Sequence, residues 1–590
     1  MSLKSLLFVS VSAALAFGCQ QADTGPDLEA PPAPIEAEAP PIWDKGAMVA
    51  AADPRAVEAG LEVLRNGGHA VDAAIAVHTV LGLVEPQSSG IGGGAFMVVY
   101  DRASGDTIVY DGRETAPMAV DENLFVEEGE VLGFIEAWQS GKSVGVPGAI
   151  ALYKMAHDAH GRQDWATNFE AAITLAEAGF EVSPRLAGLL SSERLRQFVR
   201  LDDHPVSAAY FYPDGAPLPE GFIRDNPDYA ETLSRIASEG ISAFYTGEIA
   251  ENIVAAIGEN PRAGAMTLED ISTYQPKARP PVCGDWRDYK ICSAPPPSSG
   301  GVTQNAIAGL YDRLLPEGAE DPAILMRAFV DAQRLAYADR DHYVADADFV
   351  QVPTLDLINP VYLDVRATEV FEPGETPRPG DPGVVLGGNP MVGMWGQDPT
   401  EDVPGTTHFS IIDQDGNAVS MTATVEAAFG SSRMVNGFLL NNELTDFARQ
   451  PRKSNLPVAN APGPGKRPRS SMSPTIIFDA DGDLKMITGS PGGNSIVAYT
   501  AKTVIGVLAW GYSPQEAINM PNIIARGDTV GVEISRDGGQ FVSDELQGLG
   551  YTVQEGQGEN SGLHAILVTH EGLLGGADPR REGIAKALTD

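Results

Sequence analysis

The chain has 590 residues, of which 43% are apolar, and a formal charge of −40. That length and apolar share support a large buried core, in two to four domains or one large layered fold. The acidic balance argues against nucleic acid or an anionic membrane surface as partner and predicts a well-solvated exterior.

The N-terminus predicts export. Lys4 precedes an apolar run, Leu6 to Phe17, too short to span a bilayer, and Ala16-Phe17-Gly18-Cys19 closes it. This ending resembles a bacterial lipoprotein signal, in which Cys19 is lipidated and becomes the first residue. Leu15 lies one place further from Cys19 than that pattern prefers. Plain secretion, with Cys19 discarded, is the alternative. Residues 1–19 are thus a signal peptide, and 20–44, rich in Pro, Ala and Glu, a disordered tether. The expected location is the periplasm or cell envelope of a bacterium, with a possible lipid anchor, or otherwise the medium.

The folded part is expected from Lys45. Asp53-Pro54 is an N-cap and first-turn pair, and Val57, Leu61 and Leu64 repeat at helical spacing before Gly67-Gly68. A second helix is predicted from about Val71 to Leu83. Gly90-x-Gly92-x-x-Ala95 follows, but a dinucleotide fingerprint needs a strand before it and a helix after it. Here a helix precedes and strand-like Ala95 to Tyr100 follows, so that reading fails. Ile108 to Asp111 is strand-like and leads into Gly112-Arg113-Glu114. Ala149 to about Tyr274 is expected to be mostly helical. His157 and His160, three apart with no third ligand nearby, are read as surface residues, and no metal is expected.

Cys283 and Cys292 flank an eight-residue stretch. A hairpin turning at Arg287-Asp288 sets them face to face, at the short Cα separation a disulfide needs. Export favours oxidation; two buried thiols are the alternative. Ala294-Pro295-Pro296-Pro297-Ser298-Ser299-Gly300-Gly301 forbids helix until about Val302. Leu325 to Asp341 is amphipathic. From Val370 to Asp402 frequent Pro and Gly predict a mobile loop.

At Gly405-Thr406 an alternating polar and apolar run begins, which predicts a strand, and Gln414-Asp415-Gly416-Asn417 turns it back into Ala418 to Thr424. Folding there lays Thr424 beside Thr406, within one residue of register. Two neighbouring hydroxyls suit a nucleophile and a supporting donor. A threonine nucleophile can use its own α-amine as base, which requires the Gly405–Thr406 bond to be cut first. Further on, Glu443 and Asp446 follow an apolar strand, Ser470-Ser471 follow a basic stretch, and Gly489-Ser490-Pro491-Gly492-Gly493-Asn494 opens a helix. Backbone N–H groups at such a helix start favour developing negative charge, so Gly492 and Gly493 suit an oxyanion hole.

The hairpin from Thr406 through Val419, together with the glycine turn at 90–94, Arg113, Pro295–Gly301, Ser470-Ser471, Gly492-Gly493 and Gly576–Arg580, resembles the γ-glutamyltransferases. These are self-processing N-terminal-nucleophile hydrolases. The resemblance spans roughly 45 to 585 and implies an α/β (α+β) fold, a four-layer αββα sandwich assembled from two fragments of one precursor. Residues 45–405 would be the large subunit and 406–590 the small, catalytic one, forming a heterodimer of the chain's own two fragments. It further implies that Arg113 grips the donor's α-carboxylate, helped by Ser470 and Ser471, while Glu443 and Asp446 bind the α-ammonium. Glu426 stands where some members carry Asn, which resembles bacterial members lacking a long lid and adds a third acid to the pocket. The implied donors are γ-glutamyl small molecules such as glutathione, the acceptors water, amino acids or peptides, and no cofactor is implied. Two other readings remain at this stage. One is a related acylase acting on β-lactam side chains or poly-γ-glutamate. The other is a non-catalytic solute-binding lipoprotein on the same fold.

Overall fold

A computed structural model describes residues 43–589 apart from 260, 370, 399, 401–404 and 557–560. The signal peptide, Cys19 and nearly all of the tether lie outside the described residues. In chain order, the strands of the two large sheets are β1 (Met48–Ala51), β2 (Gly94–Asp101), β3 (Asp106–Asp111), β4 (Lys277–Arg279), β5 (Val282–Trp286), β6 (Tyr289–Ser293), β7 (Thr406–Ile412), β8 (Ala418–Thr424), β9 (Thr475–Phe478), β10 (Leu484–Gly489), β11 (His564–Thr569), β12 (Gly572–Ala577) and β13 (Ile584–Ala587). The first sheet runs β13-β1-β7-β8-β2-β3-β4 and the second β12-β11-β10-β9-β6-β5. Neighbouring strands are antiparallel throughout.

The helices that cover these sheets are α1 (Pro54–Arg65), α2 (Ala70–Val84), α3 (Gly300–Leu314), α4 (Pro322–Tyr343) and α5 (Ile496–Leu508). Asp53 caps α1 by accepting from Arg55 N–H. His69 caps α2, with Asp72 returning the bond to the His69 N–H, a reciprocal box. Strand side chains alternate between faces, and that alternation divides the core. Val49, Met97, Val99, Phe409, Ile411 and Val419 pack with α1 and α2. Their chain neighbours Met48, Phe96, Val98, Ile412 and Ala418 pack against Ile476, Ile487 and Ile566 of the second sheet. Ile477, Met486 and Ala565 face outward onto α3, α4 and α5. Two sheets back to back, with helices outside each, are the expected αββα sandwich. Both central strands, β7 and β8, are buried along their whole length. Thr406, His408 and Ser410 of β7 and Ser420, Thr422 and Thr424 of β8 therefore lie between the sheets, not in solvent as an alternating pattern alone would suggest.

Residues 149–274 are mostly helical, as expected. A two-residue turn at Arg287 and Asp288 closes β5 onto β6. Cys283 faces Cys292 with a Cα separation of 4.1 Å, and the two form a disulfide.

Two expectations need correction. His157 and His160 are not surface residues: their side chains are only 13% and 14% exposed. His157 Nε2 lies 3.0 Å from the Gln163 carbonyl oxygen, and His160 Nε2 lies 2.8 Å from the Tyr110 hydroxyl. His160 also stacks on His69, with ring centroids 5.5 Å apart and planes 16° from parallel. His69, Asp101 and His160 form a group of metal-ligand types. Within it, His69 Nδ1 already accepts from Val71 N–H and His160 Nε2 is engaged with the Tyr110 hydroxyl. The second correction concerns 370–402. Its described residues are pinned to the body: Gly380 N–H donates to Asp339, Gly396 N–H to the Pro457 carbonyl, and the Thr400 carbonyl accepts from Arg526.

Candidate active site

Thr406 begins β7 and Thr424 ends β8, and the register sets them directly opposite, on the face between the sheets. Their hydroxyl oxygens are 3.3 Å apart and both residues are buried. In the continuous chain the Thr424 hydroxyl donates to the Gly405 carbonyl at 2.9 Å and accepts from Glu426 N–H at 2.7 Å. A hydroxyl has one proton to give. Thr424 spends it on Gly405, so in their mutual contact Thr406 donates and Thr424 accepts. Val425 N–H also approaches the Gly405 oxygen, at 3.4 Å. The carbonyl of the Gly405–Thr406 bond is thus polarised by neighbouring donors, with a hydroxyl nucleophile on the very next residue. Gly405 is required sterically, since a Cβ there would lie 2.3–2.5 Å from backbone atoms of Glu426 and Ala427. Gly405→Ala is therefore expected to block or strongly slow self-cleavage, read as persistence of one band on a denaturing gel. Normal splitting of this variant would show that the close packing plays no part.

One cavity is lined by Arg113, Thr406, Thr424, Glu426, Glu443, Asp446, Ser470, Ser471 and Gly493. Of the residues singled out by sequence for this site, Gly405 and Gly492 are not among its lining. Arg113 is 1% exposed, and its guanidinium pairs with both Glu443 and Asp446. It also donates to the carbonyls of Pro468 at 3.2 Å and Arg469 at 2.6 Å. Glu443 and Asp446 sit three apart on a short 3-10 turn, which puts both carboxylates on one side. Asn441 fixes that turn by accepting from the N–H groups of Glu443 and Gly145 and donating to the carbonyls of Gly92 and Gly145. The glycine turn after α2 therefore supports this turn: a Cβ on Gly92 would lie 2.1 Å from the Leu439 carbonyl oxygen. Glu426 has a left-handed backbone, φ 77°, and accepts from the Asn442 amide. Local strain of this kind is often held at functional positions.

Two acids around Arg113 leave surplus negative charge, and Glu426 adds to it. Glu114, fully buried 3.9 Å from Arg113, differs: burial pushes its carboxyl up to about 8, against the pull of Arg113. At neutral pH it is largely uncharged and adds little to that surplus.

On the other side, the Ser470 carbonyl accepts from Ser299 N–H at 2.8 Å and the Ser470 N–H donates to the Pro297 carbonyl at 2.9 Å. The Pro-rich segment thus braces the serine pair. The Ser471 hydroxyl accepts from Arg340 on α4. Sequence reasoning missed Arg340. The only available signal was an arginine on the inner side of an amphipathic helix, which points to a buried partner. Gly492 and Gly493 have φ of 133° and 53°, a path closed to most side chains, and lead through a 3-10 turn into the start of α5.

An αββα sandwich with a threonine heading a central strand, beside a charge-lined cavity, defines a hydrolase of the N-terminal-nucleophile class. Residues 56–588 match the family described as Gamma-glutamyltranspeptidase, and the chain belongs to that family of enzymes. It is 35% identical to the glutathione hydrolase proenzyme of Bacillus subtilis strain 168, over 92% of this chain and 91% of that one. It is 33% identical to the glutathione hydrolase proenzyme of Escherichia coli K12, over 97% of each. Among solved structures, a cephalosporin acylase from Bacillus halodurans superposes with a TM-score of 0.79 at 25% identity, covering 96% of this chain and 99% of that one. The γ-glutamyltranspeptidase of Helicobacter pylori gives 0.50 at 34% identity, covering 57% and 93%.

Proposed function

We propose that this protein cleaves γ-glutamyl amides, glutathione among them, and passes the glutamyl group to water or to an amino acid or peptide acceptor. The observation that carries the reading is the Thr406–Thr424 pair opening onto a cavity lined by Arg113 and by the acids Glu426, Glu443 and Asp446. Such a cavity complements both charges of an amino-acid head group. In the free site Arg113 pairs with Glu443 and Asp446. A donor would insert between them, its α-carboxylate on the guanidinium and the serine hydroxyls, its α-ammonium on the acids.

The same hydroxyl acts twice. First Thr406 Oγ1 attacks the Gly405 carbonyl carbon, the peptide nitrogen leaves with a proton, and an ester joins the two residues. Water hydrolyses that ester, giving a Gly405 carboxylate and a free Thr406 α-amine. Residues 45–405 and 406–590 are then the two subunits. Next Thr406 Oγ1 attacks the donor's γ-carbonyl while the α-amine takes the hydroxyl proton and returns it to the leaving amine. The N–H groups of Gly492 and Gly493 hold the oxyanion. Thr424, relieved of the Gly405 carbonyl, is free to orient Thr406. Water or an amine then takes the glutamyl group.

The test is glutamate release from glutathione, glutamine and poly-γ-glutamate, run beside a cephalosporin side-chain amide. Release from the γ-glutamyl donors supports the reading. Cleavage of the cephalosporin alone would move the assignment to an acylase.

We place the mature protein in the bacterial envelope, anchored through lipidated Cys19, on the strength of the signal sequence. Palmitate fed to producing cells is expected to label the wild type and not Cys19→Ser. An unlabelled wild type would mean ordinary secretion.

A further inference from the structure

The geometry points to Arg581 as a positioning residue for self-cleavage, holding Thr406 from the side opposite β8. This rests on the self-cleavage proposed above and concerns the continuous chain. Arg581 Nη1 donates to the Thr406 carbonyl at 2.8 Å, and both residues are buried.

The strand pattern explains why that carbonyl takes a partner from outside the sheet. Val425 N–H approaches the Gly405 carbonyl, which makes Gly405 and Val425 a hydrogen-bonding pair. Along an antiparallel ladder such pairs alternate with pairs that do not bond. Thr406 and Thr424 are the next pair, so the backbone N–H and C=O of Thr406 point away from β8, to the side of β1. There β1 pairs with β7 from Met48 opposite Ile412 to Ala50 opposite Ser410, and the chain then turns off at Asp53 into α1. The ladder ends before it reaches Thr406. A buried carbonyl at the end of a ladder needs a donor, and Arg581 supplies it.

The topology brings Arg581 to this place. It lies in the link from β12 of the second sheet to β13 of the first, and β13 starts opposite Ala51, the last residue of β1. Asp578 fixes the link. Its carboxylate accepts from the Ser561 hydroxyl at 2.5 Å and from Leu563 N–H at 3.1 Å, and its carbonyl accepts from Arg581 N–H at 3.1 Å. Gly562 lets the arginine stem lie close, since a Cβ there would stand 2.6 Å from Arg581 Cδ and Nε. Ser88 Oγ lies 3.4 Å from the same Nη1 that holds Thr406. The bond to be cut is therefore held at both ends. Thr424 and Val425 hold the Gly405 oxygen, and Arg581 holds the Thr406 oxygen. In the attack, Thr406 Oγ1 bonds to the Gly405 carbonyl carbon, the C–N bond breaks, and the nitrogen leaves with the hydroxyl proton. Rotation of the Thr406 backbone would swing Oγ1 off that carbon, and the Arg581 contact opposes the rotation.

The experiment follows self-cleavage of full-length precursor, made by cell-free synthesis under oxidising conditions, on a denaturing gel. Arg581→Met keeps the stem over Gly562 and removes the donor, and it is expected to slow cleavage about tenfold or more, as misplacement of a reacting group does. Arg581→Lys keeps a cation without the reach of the fork. It is expected to cleave faster than Arg581→Met yet about threefold more slowly than wild type, and it covers the case in which Arg581→Met fails to fold. Hydroxylamine attacks an ester carbonyl, giving a Gly405 hydroxamate and a free Thr406 hydroxyl, so it speeds any chain in which ester breakdown is slow. It is expected not to restore Arg581→Met, in which ester formation is slow. In a Thr406→Ala background, where no cleavage intervenes, Arg581→Met is expected to shift the melting temperature by no more than about 2 °C. A wild-type cleavage rate in either variant that folds, restoration by hydroxylamine, or a melting temperature that falls in step with the rate would overturn this inference alone. A wild type that stays uncut takes the self-cleavage reading down with it.

Discussion

Thr406→Ala is expected to remain one chain and to release no glutamate from glutathione. The reasoning is chemical. Methyl replaces the only group placed to attack the Gly405 carbonyl from the adjacent residue, so no ester forms and no α-amine is freed. The variant then lacks nucleophile and base together, and loses the whole of the covalent route. Folding should survive, because the Thr406 hydroxyl makes one 3.3 Å contact with Thr424, while Thr424 keeps its bonds to Gly405 and Glu426. A melting temperature close to that of wild type, on an uncut inactive chain, is the full expected result. An active Thr406→Ala would end the account.

Arg113→Ala is expected to produce the next largest loss. Its guanidinium is fully buried, and removing it leaves Glu443 and Asp446 without their shared counter-ion. Truncating one partner of a buried charge pair costs about 2–5 kcal/mol, which at about 1.4 kcal/mol per factor of ten is a loss of roughly 30- to several-thousand-fold in kcat/KM. Arg113→Lys should recover little. Arg113 reaches Pro468 O through Nε, Glu443 through Nη1, and both Asp446 and Arg469 O through Nη2, and an ammonium cannot reproduce that fork. The measurement is kcat/KM for glutathione in wild type and both variants. Unchanged values would place the head group elsewhere.

The nucleophile pair was legible because a hairpin's register follows from counting residues across its turn, and the count from Asp415-Gly416 sets Thr406 against Thr424. The disulfide was legible for the same reason. The layers were legible only through resemblance, since alternation along β7 cannot show that both of its faces are covered. Arg340 escaped because its partner, Ser471, is 131 positions away in sequence, and no local pattern marks a buried pair of that separation. Pro and Gly between 370 and 402 suggested mobility, but composition does not register side-chain-to-backbone ties such as Asp339 to Gly380. His157 and His160 went astray in a similar way. Helical spacing placed them on one face but could not show that His69, at the cap of a different helix, packs over that face.

The account stands or falls on which residue heads the small fragment. N-terminal sequencing and intact mass of the purified wild type measure this directly. The expected result is two fragments, the smaller beginning Thr406-Thr407-His408-Phe409. A single uncut chain with γ-glutamyl activity, or a small fragment beginning at any other residue, would contradict it.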